Sequence, residues 1–92
     1  MISLLSLSKE CYICHTKNRI ELHHIFGGTS IRRKNCEKNG FIVYLCDTHH
    51  RGNNSVHRDR EVDLMIKRKA QEEYERTHTR SEFMEIVKRS YL

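Results

Sequence analysis

A chain of 92 residues that is 37% hydrophobic and 32% charged, with no Trp and no Pro, buries only about 60–65% of the surface its unfolded form exposes, so its core needs support beyond apolar packing. No apolar run approaches the ~20 residues of a membrane-spanning helix, and the composition is too polar for a membrane protein. The net charge of +5 favours a polyanionic partner, and residues 31 to 60 concentrate it, with seven basic against three acidic side chains.

The apolar opening, Met1 to Leu7, has neither the preceding basic residues nor the following small-residue cleavage site of a secretion signal, and reads as an N-terminal strand or docking segment. Cys11 and Cys14 then form CxxC. Arg19 to Phe26 alternates as a strand does, and Phe41 to Cys46 is a second strand rich in β-formers. The connection between them, Gly27 to Gly40, reads as a long basic loop carrying Arg32, Arg33, Lys34 and Lys38. Its Cys36 fits neither knuckle and reads as a bystander thiol. After Cys46 the chain turns through CDTHHRGNNS, and from about Val56 to Thr77 the spacing of Val62, Met65, Ile66, Ala70 and Tyr74 predicts an amphipathic helix. Thr79 and Glu82 form a TxxE capping box ahead of a second helix with Phe83, Val87 and Tyr91 on its buried stripe. Nothing divides the chain. The expected organisation is one domain over residues 1–92, with the metal-supported core at about 9–77 and a C-terminal helix at about 79–91.

Four cysteines in so short a chain could form disulfides, but here they stand at metal-ligand spacing with histidines, which points to a reduced compartment and a metal. Cys11 and Cys14, with Cys46 and His49 as CxxH at the far end of the second strand, make one tetrahedral set of the kind that holds structural Zn²⁺. Spacing leaves His50 open as an alternative to His49. Such a site adds folding free energy that a small core lacks.

The remaining histidines divide in two. His15 follows the first knuckle, and His78 lies between the helices where it can cap a C-terminus. His23 and His24 are adjacent on a strand and point to opposite faces, so both cannot be core filler. His50 and His57 flank a Gly-Asn-Asn turn leading into the long helix.

Taken together, CYIC, LHHIFGG, LCDTHH and NNSVH resemble the small zinc-containing HNH endonucleases of phages and prophages, over Cys11 to about Asp59. The resemblance implies an α+β fold of the ββα-metal (HNH, or His-Me finger) type with additional C-terminal helices. It also implies a cytoplasmic, phage- or prophage-encoded protein in a bacterial host. By that resemblance His23 is a cation ligand, His24 the general base, and His50 a second ligand, with a further one near Asn54 or His57. The family's middle Asn falls at Phe41 in this chain, and Asn39 and Asn35 are the neighbours; Asn39 is the candidate for the supporting role, although Asn-Gly is commonly only a turn.

The implied activity is hydrolysis of DNA phosphodiester bonds. His24 would activate water, and a divalent cation such as Mg²⁺, Mn²⁺ or Ni²⁺, held by His23 with His50 and His57, would act as electrophile. Imidazole ligation favours the softer ions. Arg32, Arg33, Lys34 and Lys38 would seat the DNA backbone, with Arg51 or Arg58 near the scissile phosphate. So small a chain leaves little room for sequence reading, so a homodimer or a phage protein partner is expected to assist. Two other readings stand beside this one: a non-catalytic zinc-ribbon nucleic-acid-binding module, and a silent HNH domain acting as an assembly factor.

Overall fold

The computed structural model describes residues 2–92. Its elements in chain order are β1 (Ile20–His24), α1 (Ser30–Asn39), β2 (Ile42–Cys46), α2 (Asp47–Arg51), α3 (Arg60–Tyr74) and α4 (Arg80–Val87). This is a small α+β arrangement around one two-stranded antiparallel sheet, in which Ile20 stands opposite Cys46 and His24 opposite Ile42. Among the described residues, no helix is long and apolar enough to cross a membrane.

Residues 2–8 dock along the sheet without forming a strand. The Leu4 amide donates to the Gly40 carbonyl at 3.0 Å, the Ser3 hydroxyl donates to the Ile42 carbonyl, and the Ser6 hydroxyl accepts from the Tyr44 amide at 3.1 Å. Serine side chains thus occupy the outer edge of β2 where a third strand would pair, which blunts that edge.

The segment expected to be a loop contains a helix. Thr29 caps α1 by accepting from the Arg32 amide at 3.1 Å, and Gly40 ends it at φ 80°. A side chain at Gly40 would be strained by that left-handed backbone and would meet the Ile2 carbonyl at 3.0 Å. Between the caps lie Arg, Lys and Glu, which form helices readily. Cys36 is the helix's one buried residue. It is therefore a core side chain rather than a bystander in a loop, and burial pushes its thiol pKa up.

The long helix starts later than its apolar spacing suggests. Asp59 caps α3 by accepting from the Glu61 amide at 3.0 Å, which leaves residues 53–58 as turns. Ile66, Ala70 and Tyr74 are buried and Val62 packs against them, whereas Met65 faces solvent. The capping box of α4 forms as predicted: the Thr79 hydroxyl accepts from the Glu82 amide at 3.1 Å and the Thr79 amide donates to the Glu82 carboxylate at 2.9 Å. The two helices close the core through aromatic rings. Phe41 lies 5.2 Å from Tyr74 and 5.7 Å from Phe83 between ring centres, and Phe26 lies 5.1 Å from Phe41. Such offset and edge-on pairs add ~0.5–1.5 kcal/mol each beyond area burial. His78 stacks on Tyr74 at 4.1 Å with its Nδ1 3.3 Å from the Tyr74 carbonyl, which is the helix-terminal role expected of it.

Candidate metal centres and the histidine cleft

Two Cys/His clusters flank the sheet. In the first, one ligand atom from each of Cys11, Cys14, Cys46 and His49 lies within 4.8 Å of all the others. His49 Nδ1 is 3.3 Å from Cys46 Sγ and 3.6 Å from Cys11 Sγ, and the Cys14 and Cys46 sulfurs are 3.8 Å apart. For Zn–S bonds of about 2.3 Å, the edge of a ligand tetrahedron is about 3.8 Å, and slightly less where one corner is nitrogen. The four residues therefore fit a zinc site, with His49 rather than His50 as the fourth ligand.

Local hydrogen bonds place these ligands. The Tyr12 amide donates to the Tyr44 carbonyl at 2.9 Å, fixing the first knuckle to β2, and the His15 amide closes the CxxC turn onto the Cys11 carbonyl at 2.8 Å. Burial alone would push the Cys11 thiol up. Backbone hydrogen bonds around Cys14, Cys46 and Ile13 outweigh it and hold the thiol at about 6, a donor primed as thiolate. Cys46 is pushed up by burial and by the neighbouring Cys11 and Cys14 thiols. Three cysteine sulfurs and one imidazole nitrogen brought this close together are a donor set for a cation.

In the second cluster, ligand nitrogens of His23, His50 and His57 lie within 4.8 Å of one another. His23 comes from β1, His50 from α2, and His57 from the turns before α3. His57 Nε2 and His50 Nε2 are 3.0 Å apart. On its other side His50 Nδ1 donates to the Glu21 carboxylate at 2.6 Å, and the Arg51 Nε donates to the same oxygen at 3.0 Å. Those two bonds, the His50 one first, hold the Glu21 carboxyl below the usual range. A carboxylate behind a histidine fixes its tautomer and turns the far nitrogen's lone pair toward the cluster.

His23 is buried, and its Nε2 has no hydrogen-bond partner. Burial, with His50 and His57 next in effect, pulls its pKa down to about 3, so the ring is neutral at physiological pH. Burial also lowers His57. A neutral imidazole with an orphaned buried nitrogen beside two others is a donor set suited to a divalent transition ion.

The three histidines line an open cleft of about 650 Å³ together with His24, Arg33, Arg51, Lys67 and one carboxylate, Asp63. His24 Nε2 lies 3.5 Å from the Glu37 carboxylate of α1. The helical form of α1 separates the basic residues expected to act together. Arg33 lines the cleft and Glu37, one turn on, reaches His24 from behind it, Lys34 and Lys38 share the next face and do not line it, and Arg32 borders a neighbouring pocket. Arg58 is exposed and does not line the cleft either. Asn39 stands apart from the cleft as well. Its side-chain amide donates to the Asn35 carbonyl at 2.8 Å in the last turn of α1, so the residue is used for the helix end.

Glu21, Glu37 and Lys67 are the residues that sequence reasoning missed. Glu21 had a signal, since it precedes His23 by two positions and shares its strand face. Lys67 reaches the cleft, and Glu37 reaches His24, only through packing. Comparison of the chain with protein-family models, with curated proteins and with solved structures finds no match.

Proposed function

We propose that this chain is a metal-dependent endonuclease of the HNH type, with a ββα-metal core, hydrolysing phosphodiester bonds in DNA. The observation that carries the reading is the convergence of His23, His50 and His57, with His24 in the same cleft, beside a separate Cys₃His zinc-type cluster. A zinc-ribbon module needs the second feature and leaves the first without a use.

Cleavage requires a base for the attacking water and positive charge at the phosphoryl group. His24 is the base. With Nε2 turned to Glu37 at 3.5 Å, its Nδ1 is the nitrogen left to take the water proton, and the carboxylate stabilises the imidazolium that results. His23, His50 and His57 would hold a divalent cation, which supplies the Lewis acid for the phosphoryl oxygen and the departing oxyanion. Glu21 keeps the His50 ring oriented from behind. Arg33 and Arg51 attract the phosphate, Arg51 with part of its charge balanced by Glu21. The reading is tested by incubating zinc-loaded protein with supercoiled plasmid, with and without added Mg²⁺, Mn²⁺ or Ni²⁺. Cation-dependent nicking supports it.

A further inference from the structure

The histidine cleft is not isolated. A second pocket, of about 230 Å³, shares Gly27 and Lys67 with it, and its remaining polar lining is Arg32, Lys88, Arg89 and Tyr91. Gly27 forms the divide between the two. A Cβ there would meet the His24 Cβ at 3.2 Å and the His24 carbonyl at 3.3 Å, so the absent side chain lets this shared stretch of backbone lie close against His24. The two hollows therefore read as one groove that leads from the four histidines across Gly27 to the end of α4.

The charge of the second half differs from that of the first. No carboxylate lines it, and Arg32, Lys88 and Arg89 form no ion pair among the described residues. Lys67 is tied to Asp63 at 2.8 Å. Tyr91 positions two of the cations: the Arg89 guanidinium lies 4.6 Å and the Lys67 ammonium 5.5 Å from its ring centre. Lys88 ends α4 in the left-handed conformation, at φ 76°. That backbone is unfavourable for a residue with a Cβ, and glycine would remove the strain at this helix end.

The geometry points to a second phosphate-binding subsite, formed by Arg32, Lys67, Lys88 and Arg89, which holds the backbone of duplex DNA beyond the nucleotide at the histidines. The inference takes its partner from the nuclease reading. It assigns to the C-terminal end of α4, with Lys67 of α3 and Arg32 of α1, the task of fixing the strand's path outside the strand and knuckle motifs. Three cations without a carboxylate partner, Arg32, Lys88 and Arg89, beside a cleft that also carries Arg33 and Arg51 suit phosphates rather than acidic peptide side chains, because evenly spaced anions can engage the cleft and the second pocket at once.

The test is fluorescence anisotropy of a short labelled duplex with zinc-loaded protein and no added divalent cation, over a series of salt concentrations. The variant is Lys88→Gly with Arg89→Gln, and a control, Lys17→Gln with Arg68→Gln, removes the same net charge away from the groove. The groove variant is expected to weaken binding at least tenfold and to flatten the slope of log K against log salt by ~0.9 for each phosphate no longer neutralised, while the control changes the slope little. Arg89→Lys should restore part of the affinity, with zinc content and Tm showing that the variants are folded. Equal losses in groove variant and control, or no duplex binding by the wild type, overturn the subsite. Plasmid nicking on the same preparations separates this from the nuclease reading. A wild type that binds through Lys88 and Arg89 but never nicks keeps the subsite and loses the nuclease, and a wild type that nicks with a groove variant equal to the control does the reverse.

Discussion

The Glu21 carboxylate and the His50 imidazole meet at 2.6 Å, on the side of His50 that faces away from His57. In a neutral His50 ring, donation from Nδ1 leaves Nε2 as an acceptor, and the proton in the 3.0 Å contact then belongs to His57 Nε2. Cation binding needs both lone pairs and must displace that proton. Glu21→Gln keeps the size of the side chain but weakens its hold on the His50 tautomer. It is expected to lower cation affinity by ~10–100-fold, measured by Ni²⁺ or Co²⁺ titration calorimetry, with zinc content unchanged. An unaltered affinity would show that Glu21 serves only Arg51.

Replacing a knuckle ligand acts on the fold itself. Cys11→Ser or Cys46→Ser is expected to lose zinc and cooperative unfolding together, because metal-binding free energy in so small a domain is folding free energy. Elemental analysis of the purified wild type should find one zinc per chain. Folded protein with no zinc would contradict the assignment of Cys11, Cys14, Cys46 and His49.

The knuckles were legible because metal spacing is a local property: CxxC and CxxH place their ligands within one turn of chain, and the strands only had to bring the turns together. Likewise the alternation around His23 and the Thr79 capping box are short-range signals. Helix α1 was hidden for the opposite reason. It buries Cys36 alone, so it carries no apolar stripe, and its charged residues resemble a solvated loop. Met65 misled in the other direction, since helical spacing continued past the surface the core covers. Lys67, Glu37 and Arg89 reach their positions through tertiary packing, and nothing near them in sequence marks it.

For the chemistry, His24→Ala is expected to lower plasmid cleavage by ~10²–10⁴-fold, the usual worth of general base catalysis, while zinc content and Tm stay at wild-type values. Glu37→Gln should give a smaller loss, because the Glu37 carboxylate 3.5 Å from His24 Nε2 helps to orient the ring. Wild-type rates in His24→Ala would remove His24 as the base.

Separating the basic residues of α1 checks its helical form. Arg33→Ala is expected to weaken duplex binding and flatten the salt slope by ~0.9, whereas Lys34→Ala with Lys38→Ala, on a face away from the cleft, should change it little. Equal effects would mean that the DNA lies against the whole helix.

The buried His23 carries a cost that shows in acid. Its folded pKa is lowered to about 3, against ~6.5 in an unfolded chain. Between those values the unfolded state binds a proton that the folded state does not, so stability falls as pH drops from ~6.5 toward 3. Acid also protonates the zinc ligands, so the comparison is with His23→Leu, which keeps them. Without added cation the variant should be at least as stable as wild type at neutral pH, since the unpartnered Nε2 is gone. The difference should widen by up to ~1.4 kcal/mol for each pH unit below 6, as read by urea denaturation. Parallel pH profiles would place a solvated His23 in solution.

The most direct test of the catalytic reading is the rate of conversion of supercoiled plasmid to nicked circle by zinc-loaded protein, followed as Mn²⁺ or Ni²⁺ is titrated in, for the wild type and for His57→Ala. The wild type should be silent without cation and rise to saturation as cation is added, and the variant should need a higher cation concentration while retaining its zinc. Cleavage at full rate with no added cation, or no cleavage with any of Mg²⁺, Mn²⁺ and Ni²⁺, would contradict a cation-dependent nuclease built on His23, His50 and His57.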